Sequence, residues 1–120
     1  MSGNQEEFIT LSNGNGLTAS FASYGARWTS MCVPDNKGHL ADVLLGFDTI
    51  DDYKYAFEQY HGAVVGRVCG RIRNAVFNLN GERHELAAND VYGKPVRNHL
   101  HGGIEGFHRK AWNAKRLMTE

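Results

Sequence analysis

His99 and His101 stand two residues apart in N-H-L-H-G-G, Asn98 to Gly103, directly before a pair of glycines. Imidazole titrates near neutral pH and ligates metals. Consecutive glycines let a backbone turn, or approach another group, where other residues cannot. On an extended strand, residues two apart face one side, so H-x-H is a natural pair of metal ligands. Arg67, Arg71 and Arg73 form a second group, set among glycines in G-A-V-V-G-R-V-C-G-R-I-R. An arginine presents a rigid fork of donors that suits vicinal hydroxyls or carboxylates. On a strand, Arg71 and Arg73 would point into a common cleft, or lie on an exposed face.

The histidine pair admits a metal reading. From Gly93 the chain runs G-x5-H-x-H-x3-E, ending at Glu105. This is similar to the first metal motif of cupins, small β-barrels that hold a divalent ion, with His99, His101 and Glu105 as ligands. Trp112 stands where that motif expects a later glycine, and the eight residues after it contain no third histidine. His39, His84 and His108 read as surface or satisfied core residues. His61, between Tyr60 and Gly62, suits the wall of a cleft. The glycine-rich run around Arg67 lacks the G-K-[ST] ending of a phosphate loop. Cys69 has no base beside it in sequence and reads as a structural thiol.

Composition narrows the partners. Thirteen Lys+Arg balance thirteen Asp+Glu, so the net charge is zero. No basic excess calls for nucleic acid and no polybasic run calls for an anionic membrane. No apolar run approaches the ~18 residues of a membrane span. The start, M-S-G-N-Q-E-E-F, has no basic and apolar export segment. Cys32 and Cys69 are therefore expected as reduced, buried thiols, with the cytoplasm as compartment. A length of 120 residues fits one domain with one core.

The elements that must position these residues read as short strands. Phe8, Thr10 and then Leu17, Ala19, Phe21 alternate around N-G-N-G, which predicts strand, turn, strand. R-W-T-S-M-C-V alternates up to a Pro34-Asp35 turn, and A-D-V-L-L-G-F suits a buried strand. Asp48 or Thr49 can cap a short helix with Tyr53, Phe57 and Tyr60 as its packing stripe. G-A-V-V-G-R-V-C-G-R-I offers apolar strand residues broken by glycines. A-V-F-N-L-N-G-E-R-H-E-L predicts a hairpin with Asn80-Gly81 in a type I′ turn. A-A-N-D through N-H-L-H-G-G reads as loop, and K-A-W-N-A-K-R-L-M-T-E can open as a strand. Strands roughly every eight to twelve residues imply an all-β sandwich or barrel.

Several of these segments stand in a telling order: P-D-x-x-G, L-G-F-D, G-x-x-x-G-R, the Asn-Gly hairpin with A-A-N-D, then N-x-L-H-G-G-x-x-G-F and Trp112. From about Leu17 to Trp112 the chain resembles the aldose 1-epimerases, or galactose mutarotases. The resemblance implies the N-terminal part of a galactose mutarotase-like β-sandwich (supersandwich). It implies interconversion of the α and β anomers of aldohexoses by acid–base ring opening, with no metal and no cofactor. By the same resemblance His101 contacts the sugar near its reacting end and Arg71 binds sugar hydroxyls. Gly70 stands where the family commonly has Asn, so its backbone alone is left to line the site. His99 takes no implied role.

Members of the family are longer, and their acid histidine and base glutamate match nothing in this chain. The expectation is a partial sandwich, residues 1–120, that acts on an aldose only as part of the full-length chain. Glu105 and Glu120 do not lie in the base's motif. A sandwich interrupted midway would expose apolar faces and associate. A non-catalytic carbohydrate-binding fragment is the alternative, and the cupin-like metal barrel a more distant one.

Overall fold

The computed structural model describes residues 7–115. The chain divides into two compact units, one formed by residues up to Val64 together with those from His108 onward, the other by Val65–Phe107. Among the described residues no helix is long and apolar enough to cross a membrane.

The first unit is built on a four-stranded antiparallel meander, β1 (Phe8–Ser12), β2 (Thr18–Ala22), β3 (Arg27–Pro34) and β4 (Leu40–Asp42), in that spatial order. Both expected turns form through side-chain acceptors. Asn13 Oδ1 takes the N–H groups of Asn15 and Leu17, with Gly14 and Gly16 at positive φ. Asp35 Oδ1 likewise takes those of Lys37 and His39. Such Asx turns let a short polar side chain replace a ladder bond. Thr29 is the extra residue of a bulge: Ser20 pairs Ser30, Phe21 pairs Trp28, and the Thr29 hydroxyl donates to the Ser20 carbonyl at 3.0 Å.

Two expectations for this unit need correction. The A-D-V-L-L-G-F run is not a buried strand. Only its Ala41 and Asp42 are strand, in the three-residue edge strand β4, and Val43 and Leu45 beyond it are 64% and 74% exposed. Asp42 ends the ladder, because its Oδ1 takes the N–H groups of Met31 and Leu44. The helix, α1 (Ile50–Tyr55), starts as expected. Thr49 caps it, accepting from the Asp52 N–H and donating to the Asp52 carboxylate at 2.6 Å. It then ends too early to carry an aromatic stripe, since Ala56 turns extended. Tyr53 alone of the three is fully buried, and Phe57 is 71% exposed.

Tyr53 packs on Arg27, the residue at the centre of this unit. Arg27 is 1% exposed, and its guanidinium lies over the Tyr53 ring. It donates to the carbonyls of His61, Gln59 and His108 at 2.9, 3.0 and 3.2 Å. One side chain thus ties three carbonyls outside the sheet to it, and burial lowers its pKa from the ordinary value. His108 is buried with its ring against Tyr60.

In the second unit β6 (Val76–Leu79) and β7 (Glu82–Glu85) form the expected hairpin. Asn80 and Gly81 have φ of 52° and 83°, the signs a type I′ turn requires. His84 stacks on Phe77 across the pair. Residues 61–70 are not strand. Positive φ at Gly62 and Gly70 interrupts any ladder there, and pairing resumes only at β5 (Arg71–Ile72), against β8 (His99–Leu100). At the C-terminal end one isolated bridge, Tyr24 to Ala111, stands in place of a strand, and residues 116–120 of that expected strand, with Glu120, lie outside the described residues.

Candidate functional site

The two-residue ladder of β5 and β8 positions the site. Arg71 faces Leu100 and Ile72 faces His99, so Gly70 and His101 meet at its open end. There the chain locks. The His101 N–H donates to the Gly70 carbonyl at 3.1 Å, and the Gly70 N–H donates to His101 Nδ1, also at 3.1 Å. A backbone N–H can only donate, so Nδ1 must carry a lone pair. The proton of the neutral ring therefore sits on Nε2. The half-buried ring is thereby oriented with Nε2–H as its donor. Neither cysteine is buried as expected: Cys32 is half-buried, and Cys69 is exposed where the chain turns at Gly70, its thiol 3.8 Å from the same Nδ1.

Arg71 is fixed by a partner nineteen residues away. Its Nε donates to Asp90 Oδ2 at 2.7 Å and its Nη2 to Oδ1 at 3.3 Å. The Asp90 side chain is 2% exposed and that of Arg71 54%. A buried carboxylate thus aims a guanidinium that remains largely open to solvent. The Arg71 hydrogen bond lowers the Asp90 pKa from its ordinary value; desolvation opposes this, and Asn98 adds to it.

Two asparagines complete the frame. Asn98 donates to Asp90 Oδ2 at 3.2 Å and accepts the Asn74 N–H at 3.1 Å. The Asn89 amide accepts the Leu100 N–H at 2.8 Å and donates to the Leu100 carbonyl at 2.9 Å, replacing a missing strand partner for β8. Asp90, Asn89 and Asn98 carried no role in the sequence analysis. Their signals were the polar A-A-N-D for Asn89 and Asp90 and the first position of N-x-L-H-G-G for Asn98, both inside resembling segments, because pairings over eight to twenty-four positions leave no local pattern.

Other expected groupings do not assemble. Arg73 does not share a strand face with Arg71. It opens a 3-10 turn, Arg73–Ala75, in which Asn74 is left-handed, so alternation stops at Ile72. His99 and His101 are not a same-side pair either, because His101 leaves the strand at φ 50°. His99 is buried and its Nδ1 donates to the Ala87 carbonyl at 3.0 Å. Among the described residues no group of three His, Cys, Asp or Glu side chains could hold a metal ion, His99, His101 and Glu105 included.

The glycine pair has a structural reason. Gly102 and Gly103 have φ of 85° and 86°. A Cβ on Gly102 would collide with the Gly66 carbonyl, and one on Gly103 would lie 2.8 Å from His99 Cε1. At Gly70, also left-handed, nothing stands within 4 Å of a Cβ. Asn tolerates that backbone region better than most residues, so the position accepts both the Gly of this chain and the Asn of the resemblance.

A family profile described as aldose 1-epimerase matches residues 7–119. The chain belongs to the aldose 1-epimerase family. The aldose 1-epimerase of Haemophilus influenzae is 45% identical over 107 residues, which is 89% of this chain and 29% of that protein. The galactose mutarotase of Bos taurus is 38% identical over 103 residues, 86% of this chain and 28% of that one. Among solved structures, a GalM/aldose epimerase homologue from C. elegans superposes with a TM-score of 0.82 at 32% identity, covering 95% of this chain and 33% of its own. The fold class is accordingly all-β, the N-terminal part of a galactose mutarotase-like β-sandwich. This epimerase-family chain spans about a third or less of the length of the relatives it matches.

Proposed function

We propose that the protein is an aldose 1-epimerase that interconverts the α and β anomers of aldohexoses such as glucose and galactose. In the reaction a base takes the C1 hydroxyl proton, an acid protonates the ring oxygen, and the C1–O5 bond opens to the aldehyde. Rotation about C1–C2 and closure on the other face give the second anomer. His101, Arg71 and Gly70 hold the sugar in this reading. The His101 Nε2–H and the Arg71 fork donate to sugar oxygens, and the Gly70 backbone lines the site. The observation that carries the reading is the reciprocal Gly70–His101 clasp one residue from the Asp90-braced Arg71, two donor groups held before any ligand arrives.

We also propose that residues 1–120 form part of a larger sandwich domain that supplies the proton-transfer groups. An apolar sheet face supports this: Ile9, Phe21 and Trp28 share it with Leu11, Ala19 and Met31, and Leu11 is 59% exposed. The reading requires no metal, cofactor, nucleic acid or membrane. Cytoplasmic location belongs to it as well, supported by Cys32 and Cys69 not being joined in a disulfide.

Polarimetry of fresh α-D-glucose tests the reading. The full-length protein should accelerate mutarotation, and Arg71→Lys and His101→Asn should each raise KM about tenfold or more. The 120-residue chain alone should match buffer. Full activity in both variants would defeat the site assignment.

A further inference from the structure

We propose that the polar face of the four-stranded sheet carries a second binding site, shaped for the ring of one uncharged monosaccharide, between Phe8, Phe47, Asp42 and Asp48. The cavity there holds about 230 Å³. That is below the roughly 300–1,000 Å³ of pockets for drug-sized molecules, and restricts the occupant to a single small ring.

The lining has two kinds of surface. Phe8 and Phe47 are 45% and 39% exposed, so both present ring area to the cavity. Phe47 is held edge-on to Tyr53 and His61, and its N–H is anchored on the Tyr53 hydroxyl at 2.8 Å. Aromatic faces of this kind cover the C–H side of a sugar ring. The lining also carries acceptors. Asp42 uses Oδ1 for two backbone N–H groups, which lower its pKa, and its other oxygen has no partner among the described residues. The Asp48 carboxylate and the Ser30 hydroxyl likewise have none there. Ser20 shares a hydrogen bond with Thr10 and adds a second hydroxyl.

Unengaged carboxylates accept from neutral hydroxyls, and charge-assisted bonds of this type are the strong ones. Among the described residues no Lys, Arg or His lines the cavity, so an anionic sugar has nothing there to pair with. The expected ligand therefore carries hydroxyls and no phosphate or carboxylate. The L-G-F-D segment supplies much of the wall and is not used by the Arg71–His101 site. This inference does not rest on the mutarotase reading.

Glycine-selective 15N labelling of the full-length protein tests it, because Gly46 lines this cavity while Gly70 reports on the other site. Titrated D-glucose should shift the Gly46 amide, and D-glucose 6-phosphate should leave it in place. Asp48→Ala should weaken the Gly46 response about tenfold while Gly70 responds as before. A Gly46 amide that ignores glucose, follows the phosphate equally, or responds unchanged in Asp48→Ala would overturn the proposal. Silence at Gly70 alone would instead tell against the mutarotase site.

Discussion

His101 and Gly70 hold each other by two hydrogen bonds of 3.1 Å, backbone to backbone and backbone to ring. Two residues earlier, the His99 Nδ1 donates to the Ala87 carbonyl. The neutral rings are therefore opposite tautomers, His101 with its proton on Nε2 and His99 with its proton on Nδ1. Long-range 1H–15N correlation spectra, recorded where both are neutral, should show the two patterns reversed. The same tautomer for both would remove the argument that His101 presents a donor to a ligand.

The Asp90 carboxylate makes the site sensitive to acid. Its folded-state pKa lies below the ordinary 3.8, so its stabilising effect is present in full above that value and is lost as pH falls through the folded-state pKa. Asp90→Asn should lower the unfolding temperature at about pH 7, and its deficit should shrink below about pH 4 as the native carboxylate protonates. Thermal melts of both proteins across that range check this. A deficit that does not change with pH would mean that charge is not what Asp90 contributes.

Glycine substitutions separate space from backbone strain. Gly102→Ala must displace the Gly66 carbonyl at positive φ and should cost on the order of 3 kcal/mol or more. Gly70→Ala meets no atom within 4 Å and should cost only the left-handed penalty, about 1 kcal/mol. Denaturant unfolding of the two variants gives both values. Equal losses would show that the close approach at Gly102 is not limiting.

Local chemistry was legible in the sequence and distant partnership was not. Asn80-Gly81 specifies its own turn, as do Asn13 and Asp35 with their neighbours' N–H groups, so those strands were readable from a few residues. Thr49 names the start of its helix, yet nothing in D-D-Y-K-Y-A-F marks the end at Tyr55. Val43 and Leu45 read as core from type alone, whereas burial depends on what lies across the sheet. His101 and Arg71 were named through resemblance. Their fixed geometry comes from Gly70 and Asp90, and only the fold brings Asp90 to Arg71.

Arg27 shows how far an unflagged residue can govern a unit. Its side chain supplies donors to three carbonyls that lie 32 to 81 positions away in sequence. Replacement by Met keeps much of the apolar stem but leaves those carbonyls without their donor, and each buried unsatisfied group costs about 1–3 kcal/mol. Arg27→Met should therefore destabilise by roughly 3 kcal/mol or more. Arg27→Lys, a single ammonium in place of a planar fork, should recover only part of that loss. Hydrogen exchange gives the local readout: the Trp28 amide, which donates to the Gly62 carbonyl beside the anchored His61, should lose protection in both variants. Unchanged stability in Arg27→Met would mean that the three carbonyls find water at no cost, and that packing on Tyr53 rather than hydrogen bonding keeps Arg27 in place.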